Sequence, residues 1–430
     1  MVNQKKQING WAMYDWANSV YSLVITSTIF PIYFNNVTST DDSDMVTFFG
    51  IEVINTVLYS YSLSASFLVI AFLSPLLSGI ADYGGKKLTF LKFFAYLGSI
   101  SCLLLYFFDG SSVEYGIILS ALASIGYAGS IVFYNAYLPE ITTPDRFDFV
   151  SAKGFSLGYI GSVLLLIVNL VMISSPETFG LVDAGQASRI SFLMVGVWWA
   201  GFAQITFAAL PNNPHGRKPK GSLLKKGYHE IRKVFQSLKE LNTMKRFLLS
   251  FFFYSMGVQT TMYLAASFGD KELKLSGDQL ILTVLIIQLV AIIGSYLFAY
   301  VSKLKGNKLS LQAMILIWIA ICFLAYFVYT PTEFYTLAFF VGMVMGGIQS
   351  LSRATFSKLI PANTIDNTSY FSFFDVTEKL AIVIGTFSYG VIEQLTGSMR
   401  NSTVALGSFF VLGFIFLWLT KMPKTHFDKE

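Results

Sequence analysis

The sequence predicts an all-α membrane protein with twelve transmembrane helices in two pseudo-symmetric six-helix bundles. Three observations predict it: an apolar composition, twelve apolar stretches long enough to cross a bilayer, and Lys and Arg gathered almost wholly on one side of those crossings.

Composition excludes the soluble classes first. Of 430 residues, 54% are hydrophobic, 16% aromatic and 13% charged, against roughly 25% charged in an ordinary soluble domain. Forty-one Phe with so few charges mean an apolar exterior as well as an apolar core, which water does not tolerate at this scale. The lipid bilayer is the expected solvent. The net charge of +5 follows from membrane orientation and implies no nucleic-acid partner.

At about 20 apolar residues per crossing, the spans fall at 10–34, 57–81, 88–108, 115–138, 151–173, 191–210, 247–268, 280–301, 309–329, 334–357, 370–392 and 404–420. The first is too long for a signal-peptide core and lacks a small-residue cleavage site, so it is expected to remain as a span. With the N-terminus placed inside, twenty-five of the thirty Lys and Arg fall in inside segments, ten of them between Arg217 and Arg246. Only Arg189, Lys271, Lys274 and Arg400 fall outside, and Lys379 lies within a span. Basic residues are retained on the inner side, so both termini are expected in the cytoplasm.

The two halves repeat. Gly85 and Gly306 stand 221 residues apart, Pro139 and Pro361 222, and Cys102 and Cys322 220. A shared offset predicts duplicated six-helix units: a bundle over 1–210, a basic linker over 211–246 and a bundle over 247–430. Within the linker, Ile231, Val234, Phe235, Leu238 and Leu241 alternate with basic residues, which predicts a helix lying on the inner leaflet or a docking surface for a regulator.

Several chemistries are excluded. Cys102 and Cys322 lie in mid-span, where they form no disulfide framework or metal site. His215, His229 and His426 are all in inside segments, which leaves no intramembrane imidazole relay. The chain has no GxxxxGK[ST] loop for ATP, and no nucleophile or metal constellation within the spans, so neither an enzyme nor a cofactor is expected.

What remains is polar groups inside spans. Asp15, Asn18, Ser19, Ser22 and Thr26 recur at helical spacing on one face of the first span. A carboxylate facing hydrocarbon costs several kcal/mol, so this face is expected to line a cavity; alternatively Asp15, ~7 Å from the helix start, sits in the headgroup zone. In the eleventh span Asp375 and Lys379 are one turn apart, with Glu378 on a different face. Lys379 either takes an anionic group of a ligand or is simply neutralised by Asp375. Tyr127, Ser130, Tyr134 and Tyr137 share a face of the fourth span, with Asn135 beside them; Gln259, Thr260 and Gln349 are softer candidates. Glu140 and Arg353, at inner helix ends, are expected to snorkel or to make gate contacts. Gly154, Gly158 and Gly161, and Gly342, Gly346 and Gly347, mark close helix packing.

The loop "GIADYGGKK" (79–87), with "WAMYDWANSVY" (11–21), "SAKGFSLGYIGS" (151–162) and "GGIQSLSRATFSKLIP" (346–361), resembles the major facilitator superfamily, in the branch that holds the autophagy-related vacuolar effluxers and many bacterial proteins. The resemblance implies alternating-access transport of a small polar solute, with amino acids as cargo, in a bacterial cytoplasmic membrane and as a monomer. The alternative is a sensor or lipid handler on the same fold. In the loop, Gly84 and Gly85 permit a tight turn and Lys86 and Lys87 are expected to hold it in water. The resemblance implies that Asp82 latches the gate at the start of the eleventh span, near Ser369 to Phe371. Lys303 aligns with Asp82 in the second half, so the latch is expected in one half only. A carboxylate withdrawn from water can exchange protons near neutral pH, which leaves H+ coupling open beside Na+ coupling or none. Asp15→Asn is expected to uncouple transport without unfolding the protein.

Overall fold

The computed structural model describes residues 3–39, 43–212, 216, 222–362 and 364–422. Of the groups weighed above, His215, Arg217, Lys218, Lys220, Lys424, His426 and Lys429 lie outside the described residues. In chain order the elements are α1 (Lys5–Val20), a π-helical turn (Tyr21–Thr26), α2 (Ile29–Thr38), β1 (Met45–Phe48), β2 (Ile51–Ile54), α3 (Asn55–Gly84), α4 (Lys87–Leu104), α5 (Val113–Asn135) and α6 (Leu138–Ile141). They continue with α7 (Phe147–Ser174), α8 (Ala184–Ala209), α9 (Leu223–Glu240), α10 (Asn242–Leu273), α11 (Gly277–Lys305), α12 (Asn307–Ala325), α13 (Pro331–Leu359), α14 (Asn367–Thr396) and α15 (Met399–Leu419).

The fold is all-α and built for a membrane, as the composition requires. Among the described residues ten helices are long and apolar enough to cross a bilayer, α1 through α2 counting as one. The other two expected spans, α10 and α14, run 32 and 30 residues, so each exceeds the roughly 30 Å of hydrocarbon at 1.5 Å per residue. Helices such as α3, of 30 residues, outrun the apolar windows because their polar ends extend into the headgroup layer. A small antiparallel hairpin, β1 with β2, was not expected. Its two-residue turn puts Phe49 and Gly50 at φ 49° and 81°, the left-handed pair that such turns demand. Asn-Gly is the usual signal there, and Phe-Gly hides it.

By contacts the described residues form two compact units. One holds Lys5–Asn135 and Leu157–Gly227; the other holds Ala136–Ser156 and Tyr228–Glu430, with Met1–Gln4. The expected bundles follow the repeat, whereas this division follows packing, and residues 136–156 group with the C-terminal helices. The change falls where α5 ends. Pro139 has no N–H to donate, so the helix stops at Asn135 and restarts as the single turn α6. Tyr137 therefore does not share the α5 face with Tyr127 and Tyr134.

Inside the N-terminal unit, α4 and α5 cross where a β-carbon on Gly126 would strike the Gly98 backbone, and one on Gly98 would strike Trp199 of α8. Gly158 and Gly161 of α7 do the same against Ser19 and Trp16 of α1. Thr206 Oγ1 donates to the Gly10 carbonyl at 2.7 Å and ties α8 to α1. Inside the C-terminal unit, α11 and α13 approach closely through Gly294, which abuts Met343, and Gly342 and Gly346, which abut Ile287 and Ala291. The glycine stripes expected from spacing thus bring backbones together. Gly346→Leu must push α11 away from α13, whereas Gly390, in α14 and with open space around it, offers a control. Gly346→Leu is expected to lose about 3 kcal/mol of stability or more, and Gly390→Leu to remain monodisperse with an unchanged unfolding midpoint, as read by size exclusion and thermal unfolding.

Both expected loop turns are present. Gly85 has φ 61° and Gly306 φ 82°, so the offset of 221 relates two left-handed glycines at corresponding helix ends. Gly84 instead closes α3 in helical geometry. Lys86 is exposed but Lys87 is buried at 5% exposure, contrary to the expectation that both face water, because α4 starts at Lys87 and turns that side chain inward.

Candidate functional site

In the N-terminal unit the polar residues of α1 meet an aromatic frame. Asp15 is 5% exposed, and the Tyr134 hydroxyl of α5 donates to its Oδ2 at 2.7 Å. Trp11 stacks on the Tyr134 ring at 4.6 Å and donates from Nε1 to the Tyr134 carbonyl at 2.9 Å, while Tyr14 lies at 5.0 Å from the same ring. One turn along, Asn18 is 1% exposed with both amide atoms unpaired. Above it Tyr21 bonds Ser124 at 2.7 Å and lies against Tyr127 and Trp199.

The expected polar stripe runs into a change of helix: a π-helical turn begins at Tyr21 and contains Ser22 and the buried Thr26. Ser19 turns toward Gly158 of α7. Single π turns often mark functional sites, and this one adjoins the unpaired amide. Asp15 is packed against Tyr134.

In the C-terminal unit, Lys379 is 4% exposed and Asp375 2%. Their ion pair, at 3.3 Å, agrees with the one-turn spacing. Glu378 was expected on another face, yet its Oε2 lies 3.2 Å from the same ammonium and its Oε1 accepts from Gln259 Nε2 at 3.0 Å. Adjacent long side chains can converge even where their Cβ directions diverge. Beyond that ion pair, Asp375 has no hydrogen bond to either oxygen. Gln349 Nε2 approaches Met262 Sδ at 3.1 Å and is not part of this cluster.

The gate candidates separate. Asp82, at the end of α3, is 4% exposed. Glu140 accepts from Asn367 Nδ2, on the first turn of α14, at 3.1 Å. Arg353 does not snorkel: at 3% exposure it donates from Nε to Ser151 Oγ and from Nη2 to the Ser151 carbonyl, both at 2.9 Å. Its guanidinium also lies 4.2 Å over the Phe155 ring, and Ser151 Oγ donates to the Ser350 carbonyl at 2.7 Å.

Over residues 3–148 and 145–430 the chain matches the family model described as vacuole effluxer Atg22 like. The chain belongs to that family. It is similar to the protein called uncharacterized MFS-type transporter YxiO of Bacillus subtilis, 31% identical over 414 residues, covering 96% of this chain and 94% of that one. It is also similar to autophagy-related protein 22 of Yarrowia lipolytica, 24% identical over 470 residues, with 90% and 79% covered. Two solved major facilitator structures share the fold at TM-scores of 0.71 and 0.72: the transporter FucP in the outward conformation (12% identity, 97% of this chain, 99% of that one) and the proton:xylose symporter XylE (14%, 96% and 95%). This Atg22-like chain is therefore a major facilitator transporter and not an enzyme.

One cluster escaped the sequence. Asp148, on the first turn of α7, receives Lys358 Nζ at 2.7 Å, Ser302 Oγ at 2.8 Å and Asn307 Nδ2 at 2.9 Å. Asn307 also accepts from Lys358 at 2.7 Å and donates to Thr355 at 2.9 Å. The α11–α12 connection therefore does hold a helix start, against the expectation of a latch in one half only. The carboxylate has changed places: it sits on the helix that is held, and the donors flank the loop. Alignment with Asp82 looked for an acid in the loop and found exposed Lys303.

Proposed function

We propose that this protein is a secondary transporter that carries small polar solutes of the amino-acid class across a bacterial cytoplasmic membrane, as a monomer with both termini inside. Orientation rests on the Lys and Arg asymmetry. The observation that carries the cargo is Asn18: a buried amide with both atoms unpaired costs a few kcal/mol, which a ligand recovers when it binds. Beside it, Asp15 supplies an anion within an aromatic frame, chemistry suited to the ammonium that every amino acid carries. The names of the relatives, vacuole effluxer among them, agree with that class.

The C-terminal cluster is assigned to coupling. Two carboxylates converge on Lys379, and Asp375 keeps both oxygens without a hydrogen bond. A cation, H+ or Na+, would complete it. Asp82 with its Gly85 and Lys86 turn, Glu140 and Arg353 are assigned to the gate, with Asp148 and Lys358 added.

The test is counterflow. Proteoliposomes loaded with an unlabelled amino-acid mixture are expected to accumulate the labelled mixture transiently, faster when a pH or Na+ gradient is imposed. Amino acids that raise the unfolding midpoint yet never exchange would turn the reading toward a sensor, and no effect on either would remove the cargo class.

A further inference from the structure

The linker helix α9 was expected to rest its apolar stripe on lipid, but that stripe is spent on the protein. Gly227 packs on Gly79 and Ile80 of α3, and Ile231, Val234 and Leu238 are 9%, 2% and 7% exposed. A second side is tied to α14: Lys233 Nζ bonds Asp366 at 3.1 Å, Ser237 and Tyr370 share a hydrogen bond at 3.1 Å, and the rings of Phe235 and Phe373 lie 6.0 Å apart. The bonds to Asp366 and Tyr370 hold α9 beside the start of α14, at the depth where a spanning helix ends and headgroups begin.

The remaining edge faces away from the protein. Leu224, Tyr228 and Phe235 are 63%, 61% and 49% exposed. Beside them runs a row of exposed cations, Lys225, Arg232 and Lys239, recurring every seven residues and so on one side of the helix. Lys239 Nζ lies 4.9 Å over the Phe235 ring, so the two rows touch. Both acidic residues of α9 are off this edge, and Glu230 turns to Lys233 at 3.5 Å. An apolar row next to a cation row is what an interfacial helix offers to acyl chains and anionic headgroups respectively.

We infer that this edge of α9 is a binding surface for a row of anionic phospholipids, with Lys225, Arg232 and Lys239, about 10 Å apart along the helix, each on a headgroup and Leu224, Tyr228 and Phe235 against the upper acyl chains. The linker then anchors the start of α14 to the charge of the membrane surface. The inference stands apart from the identity of the cargo.

The test takes the full-length protein and the triple variant Lys225→Gln, Arg232→Gln, Lys239→Gln. Each is titrated in detergent with short-chain phosphatidylglycerol or phosphatidylcholine of the same chain length, and bound lipid is counted by native mass spectrometry. At about 1 kcal/mol per cation, the wild type is expected to prefer the anionic lipid roughly five-fold at each of the three positions. The triple variant is expected to lose that preference and keep its unfolding midpoint in phosphatidylcholine. Tyr228→Ser with Phe235→Ser is expected to weaken both lipids and keep the preference. Equal retention of the two lipids by the wild type overturns the inference and leaves the edge to an acidic protein surface; a triple variant that still prefers phosphatidylglycerol overturns it too.

Discussion

Replacement of Asp148 by alanine is expected to destabilise the protein by about 3 kcal/mol, the largest single loss outside the glycine contacts. The Asp148 and Lys358 side chains are 7% and 16% exposed, so solvent screens their pair only weakly, and removal of the carboxylate strands an ammonium among apolar helices. Lys358 keeps its bond to Asn307 Oδ1, which places the loss at the lower end of the range for broken buried pairs. Lys358→Met is expected to do less harm, because Asp148 retains Ser302 and Asn307 as donors. Both residues removed together leave no orphan charge, so the double variant is expected to be more stable than Asp148→Ala alone, with a coupling energy of about 1–3 kcal/mol in the cycle. Denaturant or thermal unfolding in detergent measures this. Additive losses would mean that the two side chains act separately. Asp148→Ala and the double variant free the first turn of α7 from Ser302, Asn307 and Lys358, and slower exchange in proteoliposomes is expected of both, whereas Lys358→Met loses only the link to α13.

The legible part of this protein was whatever lipid imposes on composition. Apolar length located the helices, because hydrocarbon admits no unpaired backbone, and small-residue spacing located the crossings of α7 with α1 and of α11 with α13. What hydropathy could not see was polarity that the protein satisfies internally. α14 carries Asp375 and Lys379 inward, and Lys358 looked like one more inner-side cation until Asp148 met it across 210 residues. The π-helical turn was invisible for another reason: "YSLVIT" has no proline or glycine to announce a change of helix. In α9 the period was read correctly and its partner was not. The stripe of Ile231, Val234 and Leu238 meets protein, and the exposed Leu224 and Tyr228 lay outside the pattern because they flank that stripe.

Asp15→Asn is expected to leave the fold intact and to cut exchange roughly 10- to 100-fold, the equivalent of one charge-assisted hydrogen bond to a ligand of 1.5–3 kcal/mol. The fold survives because an Asn oxygen at position 15 still accepts from the Tyr134 hydroxyl, and the Trp11 and Tyr14 packing on Tyr134 does not depend on charge. A loss of exchange together with a loss of stability would instead make Asp15 a structural partner of α5. Asn18→Ala separates the two roles more sharply. Since both amide atoms of Asn18 are buried without partners, alanine removes a penalty of about 1–3 kcal/mol, and the variant is expected to unfold at a higher temperature than the wild type while exchange falls. Structural polar groups do not behave in that way: their removal lowers stability. A variant that gains stability as it loses transport would therefore place Asn18 among residues kept for the ligand, and one that unfolds earlier at full activity would take the assignment away from this end of α1.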